Sequence, residues 1–401
     1  MNLNIKDESQ IDSKKEIIDN NKIVITETSI KESFKTKDYK NIIPNKIKII
    51  LIIIYFAIII WVETLLREYL FLKSIPFQER LQKDGKYITI LNLSKIISHL
   101  GVEILPSLIY VIVFLFMPLN YSILILQILA YSSYLANTMK MIYQSDRPNW
   151  KSDILTYSCN YGYGNPSGHS LTSISLYLCL SHVLINYFKI SQMFNVLIFI
   201  FFIIFSILIM ISRYLLAAHS INQILYGCSL GLGLYYIIIY IIGYHKYSSI
   251  NFLQHIKKKK VNLFYNIFHS FLLIIAILVY FIFKENDHSE LENSIFNGIR
   301  CQITKPFTKY KNNALFQSLS IVSLIGAQIG INYLIKLLKI KNYIINVSLI
   351  EWNKTKGIKK IILRILIIII SSIGIIMIFV IPGSIHISLI FIFTCSNTPV
   401  N

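Results

Sequence analysis

Met193-Phe-Asn-Val-Leu-Ile-Phe-Ile-Phe-Phe-Ile-Ile-Phe-Ser-Ile-Leu-Ile-Met-Ile-Ser212-Arg213 carries no charged side chain until its last residue. A helix needs roughly 20 predominantly apolar residues to cross the hydrocarbon core of a bilayer, and this run supplies them. Comparable stretches lie near 46–65, 102–118, 121–139, 169–187, 221–243, 262–283, 314–337 and 361–382. With 193–212 they predict about nine spans. The last run continues past Pro382-Gly383 to Thr394, room for a short or re-entrant segment. Backbone polar groups find no water in lipid, so such runs must be helical. The expected fold class is all-α, a polytopic membrane helical bundle with about nine transmembrane helices.

The rest of the composition agrees. Of 401 residues, 54% are apolar and only 15% charged, against roughly 25% charged in soluble domains. The net charge of +19 would suggest nucleic acid in a soluble protein, but basic loops at membrane ends account for most of it. No nucleic-acid partner is expected; membrane lipid is. The basic stretches Lys35–Lys48, Lys246 with Lys257–Lys260, and Lys336–Lys360 fall on one side of the predicted topology. The positive-inside rule makes that side cytoplasmic. The other side receives 66–101, 140–168, 213–220, 284–313 and the C-terminus. Cys159, Cys301 and Cys395 lie in or beside those segments, where a Cys159–Cys301 bridge is one candidate pairing. Cys179 and Cys228 read as lipid- or core-facing thiols. Residues 1–44 mix Lys with Asp and Glu without an apolar period and read as a disordered cytoplasmic tail.

Three polar clusters stand at the ends of apolar spans: Lys140-Met-Ile-Tyr-Gln-Ser-Asp-Arg147-Pro148, Asn165-Pro166-Ser167-Gly168-His169-Ser170, and Ser212-Arg213-Tyr-Leu-Leu-Ala-Ala-His219-Ser-Ile-Asn-Gln223. The predicted topology brings all three to one face. Guanidinium groups make paired hydrogen bonds to phosphate oxygens, and a lysine adds a point charge. A proline-led helix start offers free N–H groups to an anion. Lys140, Arg147, Arg213, the Ser167 hydroxyl and the Gly168 N–H can therefore cradle a tetrahedral oxyanion and its transition state. Of the two histidines, one would attack phosphorus and the other would protonate the leaving oxygen and activate water. No metal-ligand spacing accompanies them, and no metal or other cofactor is expected. Phosphoryl transfer is the leading reading.

These clusters resemble the type 2 phosphatidic acid phosphatase superfamily, which includes glucose-6-phosphatases and vanadium haloperoxidases. Its pattern is Lys-x6-Arg-Pro, Pro-Ser-Gly-His and Ser-Arg-x5-His-x3-Asp. The resemblance covers roughly residues 100–245 and implies His219 as nucleophile and His169 as general acid and base. It implies Lys140, Arg147, Ser167, Gly168 and Arg213 as phosphate ligands. One position departs from it: Gln223 stands where most of the superfamily has an Asp orienting the nucleophilic histidine. A neutral amide can hold the imidazole tautomer but cannot stabilise the imidazolium as a carboxylate does. Glucose-6-phosphatases carry Gln there, and Cys159-Asn-Tyr-Gly162-Tyr-Gly164-Asn-Pro166 looks like their approach to the second motif. Against that subgroup, the first span and the polar tail lie upstream of where it begins.

The organisation so expected is a tail over 1–44, a first span plus luminal segment over 45–101, a phosphatase core over 102–245 and C-terminal transmembrane helices over 246–401. The expected activity is metal-independent hydrolysis of a phosphomonoester. The substrate is a phosphorylated small molecule, with a sugar phosphate such as glucose 6-phosphate narrowly preferred, or a lipid such as phosphatidate or a sphingoid phosphate. A lipid phosphotransferase and a catalytically degenerate transporter or scaffold are the competing classes. Haloperoxidase chemistry is not expected of a polytopic chain. A luminal site in the endoplasmic reticulum fits, as does the plasma membrane.

Overall fold

The computed structural model describes residues 45–83, 87–99, 101, 105–117, 119–152, 155, 162–188, 191–242, 259–283 and 310–329. The expected tail, the run at 361–382, and Cys159, Cys301 and Cys395 lie outside the described residues. Among the described residues the regular structure is entirely helical, and the chain is a multi-pass membrane protein. In order come α1 (Asn45–Lys83), α2 (Ile88–His99), α3 (Leu105–Phe116), α4 (Leu119–Tyr143), α5 (Gly168–Phe188), α6 (Gln192–Leu215), α7 (Ile221–Tyr236), α8 (Lys259–Ile282) and α9 (Tyr310–Ser318). The stretch Ile237–Ile242 extends α7 as a π-helix.

Among the described residues, five helices are long and apolar enough to cross a membrane: Ile47–Lys83, Gly168–Phe188, Gln192–Leu215, Ile221–Ile242 and Lys260–Ile282. Of the nine spans expected, the run at 361–382 and the end of the run near 314–337 fall outside the described residues. The stretch near 102–118 is realised as the 12-residue α3. The stretch near 121–139 lies within the 25-residue α4, which buries Gln127, Asn137 and Thr138 inside the bundle.

The longest helix departs furthest from expectation. The apolar run of α1 predicts an end near residue 65, yet the helix continues through Pro76 to Lys83. Its 39 residues span about 58 Å at 1.5 Å per residue, well beyond the ~30 Å hydrocarbon core. The extension is held by polar contacts that sequence periodicity does not announce. Gln78 Nε2 donates to the carbonyls of Tyr214 (2.9 Å) and His219 (3.0 Å), and Ile221 N–H donates to Ser74 Oγ (3.1 Å). Ser74 and Gln78 are both buried. Buried polar groups persist where they find such partners, so the far end of α1 is pinned to the α6–α7 turn.

α5 is the central element and packs against α4, α6 and α7. It buries Ser170, Ser173, Ser175 and Ser181. The hydroxyls of the last three turn back onto its own carbonyls, as in Ser175 Oγ to Leu171 O at 2.8 Å. That lets a helix with several hydroxyls sit inside the bundle with those groups satisfied. α6, by contrast, faces outward over most of its surface. α7 meets α5 through Gly227 and Gly231. A Cβ on Gly227 would strike the Ser167 carbonyl, and one on Gly231 would sit 2.5 Å from the Leu171 carbonyl. Small residues permit this approach. Gly227→Ala should therefore push α7 off the start of α5. Overpacking of this kind costs about 1–3 kcal/mol, and a lowered thermal midpoint in detergent is the expected outcome.

Candidate active site

The ends of α4 and α6 and the starts of α5 and α7 lie together, so the three motifs converge. Gln223 joins them. Its backbone carbonyl accepts Ser167 N–H (2.9 Å) from the second motif. Its side-chain Nε2 donates to the Asp146 carbonyl (2.7 Å) of the first. Its Oε1 faces His219 Nδ1 (3.2 Å) and accepts Ser220 N–H (3.3 Å) in the third. The backbone partners fix which way the amide points, because Asp146 O can only accept and Ser220 N–H can only donate. Gly164 lies against this amide, where a Cβ would be 2.5 Å from Gln223 Nε2.

His219 is fully enclosed, 1% exposed. It is delivered by a tight turn in which Ala217 takes φ 53°, a left-handed conformation that costs an L-residue roughly 1–2 kcal/mol. Its Nδ1 lies 2.9 Å from the Gly164 carbonyl as well as near Gln223 Oε1. Both are acceptors, so Nδ1 carries the proton. Nε2 lies 3.3 Å from Arg147 Nη1, a donor, and so presents its lone pair. Burial, followed by the charges of Arg147, Arg213, Lys140 and His169, holds the imidazole well below its ordinary value of 6.5. His219 is neutral at neutral pH.

The cations divide into floor and rim. Arg147 is buried, and much of its guanidinium is committed to backbone: Nε to Gly162 O (2.6 Å), Nη1 to Ala218 O (2.9 Å) and Nη2 to Tyr163 O (3.3 Å). Expected as a phosphate ligand, it also holds the loop before the second motif to the turn carrying His219. Arg213 is buried too and donates to Ser98 Oγ at 2.6 Å. Lys140 is half-buried at the rim, its Nζ 3.8 Å from where a Cβ on Gly168 would sit. Ser167 precedes α5 and caps it, since Ser167 Oγ accepts Ser170 N–H (3.3 Å) and Ser170 Oγ (3.0 Å). A hydroxyl with both acceptor positions filled still has its proton to donate, so capping and anion binding are compatible. His169, half-buried in the first turn of α5, lies among Arg213, Lys140, Arg147 and His99. The structure thus brings together all eight residues singled out in the sequence.

Several participants are not announced by the sequence. Ser98 and His99 end α2, a helix placed in the expected luminal segment. His99 reads as a structural or solvated histidine in the sequence, and it is exposed, but it stands near His169. Glu63 of α1 is 5% exposed and accepts Asn165 Nδ2 (2.7 Å) and Asn222 Nδ2 (3.1 Å). A carboxylate at the end of an apolar run was the signal available for it. Asp146 and Asp153 read in the sequence as solvated loop carboxylates, with substrate contact the alternative; Asp146 pairs with Lys151 at 2.7 Å, and Asp153 lies outside the described residues. Among the described residues, no three His, Cys, Asp or Glu side chains gather as a metal would require.

Residues 118–247 match the model of the PAP2 superfamily. The match encloses all three motifs and leaves out α1, α2 and α3. A solved structure, the first transmembrane PAP2 type phosphatidylglycerolphosphate phosphatase from Bacillus subtilis, is 20% identical over 47% of this chain and 93% of its own, with a TM-score of 0.40. No curated protein matches the sequence.

Gln223→Glu keeps the size of the side chain but sets an oxygen against the Asp146 carbonyl. Leaving a buried acceptor without its donor costs about 1–3 kcal/mol. A fall in the thermal midpoint at pH 7.5 is the expected result, and an unchanged midpoint would mean that the Asp146 contact contributes nothing.

Proposed function

We propose that the protein is a membrane phosphatase that hydrolyses a phosphomonoester through a phosphohistidine on His219. The observation that carries this reading is the state of the imidazole. Its Nδ1 proton is fixed on Gly164 O and Gln223 Oε1, and its Nε2 lone pair faces Arg147 Nη1 at 3.3 Å, with Arg213 and Lys140 close by. Such an arrangement suits a nucleophile whose target is an anion.

In the proposed reaction Lys140, Arg213, the Ser167 hydroxyl and the Gly168 N–H bind the phosphoryl oxygens, and Arg147 adds charge from the floor. His219 Nε2 attacks phosphorus, the P–O bond to the leaving alcohol breaks, and His169 passes its proton to the departing oxygen. His169 then takes a proton from water and the hydroxide attacks phosphorus. The P–N bond breaks, releasing inorganic phosphate and neutral His219. No step uses a metal. Gln223 orients the nucleophile in place of a carboxylate.

The proposed substrate is a sugar phosphate such as glucose 6-phosphate, supported by Gln223 and by the Cys159–Pro166 approach to the second motif. A lipid phosphate is the second reading, favoured by α2. One face of that helix seats Ser98 against Arg213, while Ile88, Ile90, Leu93 and Ile96 point outward. An apolar outer face beside the site suits a substrate arriving from the bilayer. The site is proposed to face the lumen of the endoplasmic reticulum, on the less basic side of the chain.

Permeabilised membranes expressing the protein should release phosphate from glucose 6-phosphate, with His219→Ala at background and His169→Ala lowered by roughly 10²–10⁴-fold. Release from phosphatidate alone would establish the lipid reading instead. Failure of any His219-dependent release from either would count against hydrolysis.

The acid limb of the pH profile tests the nucleophile separately. His219 must be neutral to attack, and its folded value lies below 6.5. It therefore stays neutral as pH falls through 6.5 and is lost only at lower pH. Since kcat/KM reports the free enzyme, its acid limb should be centred below pH 6.5. A limb centred at or above that value would contradict the assignment.

A further inference from the structure

Glu63 is a carboxylate buried beside the site and unused by the proposed reaction. It belongs to α1, outside the stretch that matches the PAP2 model. Its two partners occupy telling places. Asn165 follows Gly164, whose carbonyl holds His219 Nδ1. Asn222 precedes Gln223 and accepts the Ser220 hydroxyl through Oδ1 (2.6 Å), while Ser220 N–H holds Gln223 Oε1. Both acceptors of the His219 proton are therefore seated through residues that converge on one carboxylate oxygen.

We infer that Glu63 is a positioning residue for the nucleophile, clamping the Gly164 carbonyl and the Gln223 amide at once so that His219 keeps one tautomer and one orientation. This rests on the phosphatase reading for its kinetic consequence, but not for its structural one. The clamp explains how a neutral Gln223 suffices. Neither of its two contacts to the imidazole stands alone, and both are braced from a rigid transmembrane helix. Chains of hydrogen bonds in a low-dielectric interior also reinforce one another, and this one begins at a carboxylate. Glu63 touches none of the phosphate ligands, so its removal should disturb attack rather than binding.

The test uses the full-length chain in lipid nanodiscs, with p-nitrophenyl phosphate as substrate and ¹⁵N-labelled histidine. His219 resonances are assigned by their loss in His219→Ala. Glu63→Ala should lower kcat on the order of 10²-fold, the scale of a 1 Å misplacement, with KM little changed. It should also broaden or split the Nδ1–H signal of His219 as the second tautomer becomes populated. Glu63→Gln, which keeps an oxygen able to accept both amides, should restore most of the rate and the single tautomer. Asn222→Ala cuts one arm of the clamp and serves if Glu63→Ala does not fold, with thermal midpoints reporting on that. It too should lower kcat, and combined with Glu63→Ala it should add little. Unchanged kcat and tautomer in Glu63→Ala would overturn the inference. So would a rise in KM alone, a Glu63→Gln variant no faster than Glu63→Ala, or additive losses in the double variant. If the wild type shows no His219-dependent turnover while Glu63→Ala still disturbs the tautomer, the phosphatase reading fails and the clamp stands.

Discussion

Everything in this site depends on keeping one imidazole neutral, oriented and dry among cations. His219 is enclosed on all sides and faces Arg147, Arg213 and Lys140. A protonated ring there would add a further positive charge to a buried cluster, and burying like charges together is unfavourable. The fold resolves this by giving Nδ1 two acceptors and Nε2 a donor, so all of the ring's contacts are satisfied only by its neutral, Nδ1-protonated form. The same cations that suppress the proton on His219 are the groups to which an anion would bind. Charge exclusion and attraction for an anion would then share one cause.

Gln223 shows why an amide stands where a carboxylate might be expected. An Asp or Glu could accept from His219 Nδ1 and from Ser220 N–H, but it has nothing to donate to Asp146 O. The amide does both, and its backbone carbonyl takes the N–H of Ser167. One residue thus ties the three motifs through opposite ends of a dipole. The arrangement gives up direct stabilisation of an imidazolium in exchange for a connected scaffold.

Much of this is legible in the sequence, and the illegible parts share a cause. The motif residues declare themselves because polar groups at the ends of apolar runs are conspicuous, and the run lengths set which ends meet. Arg147 and Ser167 are legible in kind but not in how they divide their hydrogen bonds. The guanidinium reads as a phosphate fork and also holds Gly162, Tyr163 and Ala218 carbonyls; the serine reads as a ligand and also caps α5. The end of α1 escapes the sequence because periodicity reports apolar faces. Ser74 and Gln78 face polar backbone, which only the folded turn at 214–221 provides. Among the described residues, two of the expected spans do not emerge as membrane-length apolar helices: α3 is short, and α4 carries a polar inner face.

The part of the site outside the PAP2 match bears most on what enters it. The matched stretch holds the proposed nucleophile, the proposed acid and the cations, a set that would handle a phosphoryl group whatever carries it. α1 and α2 supply what surrounds that group: Glu63 behind the nucleophile, Gln78 under its turn, Ser98 on Arg213, and His99 near His169. His169 is the group proposed to meet the leaving oxygen, so the end of α2 stands on the leaving-group side. In the proposed reaction the leaving alcohol would lie toward His99 and the end of α2. On the proposed reading, α1 and α2 are where a sugar phosphate and a lipid phosphate would be told apart, while the phosphoryl chemistry would lie within the matched stretch.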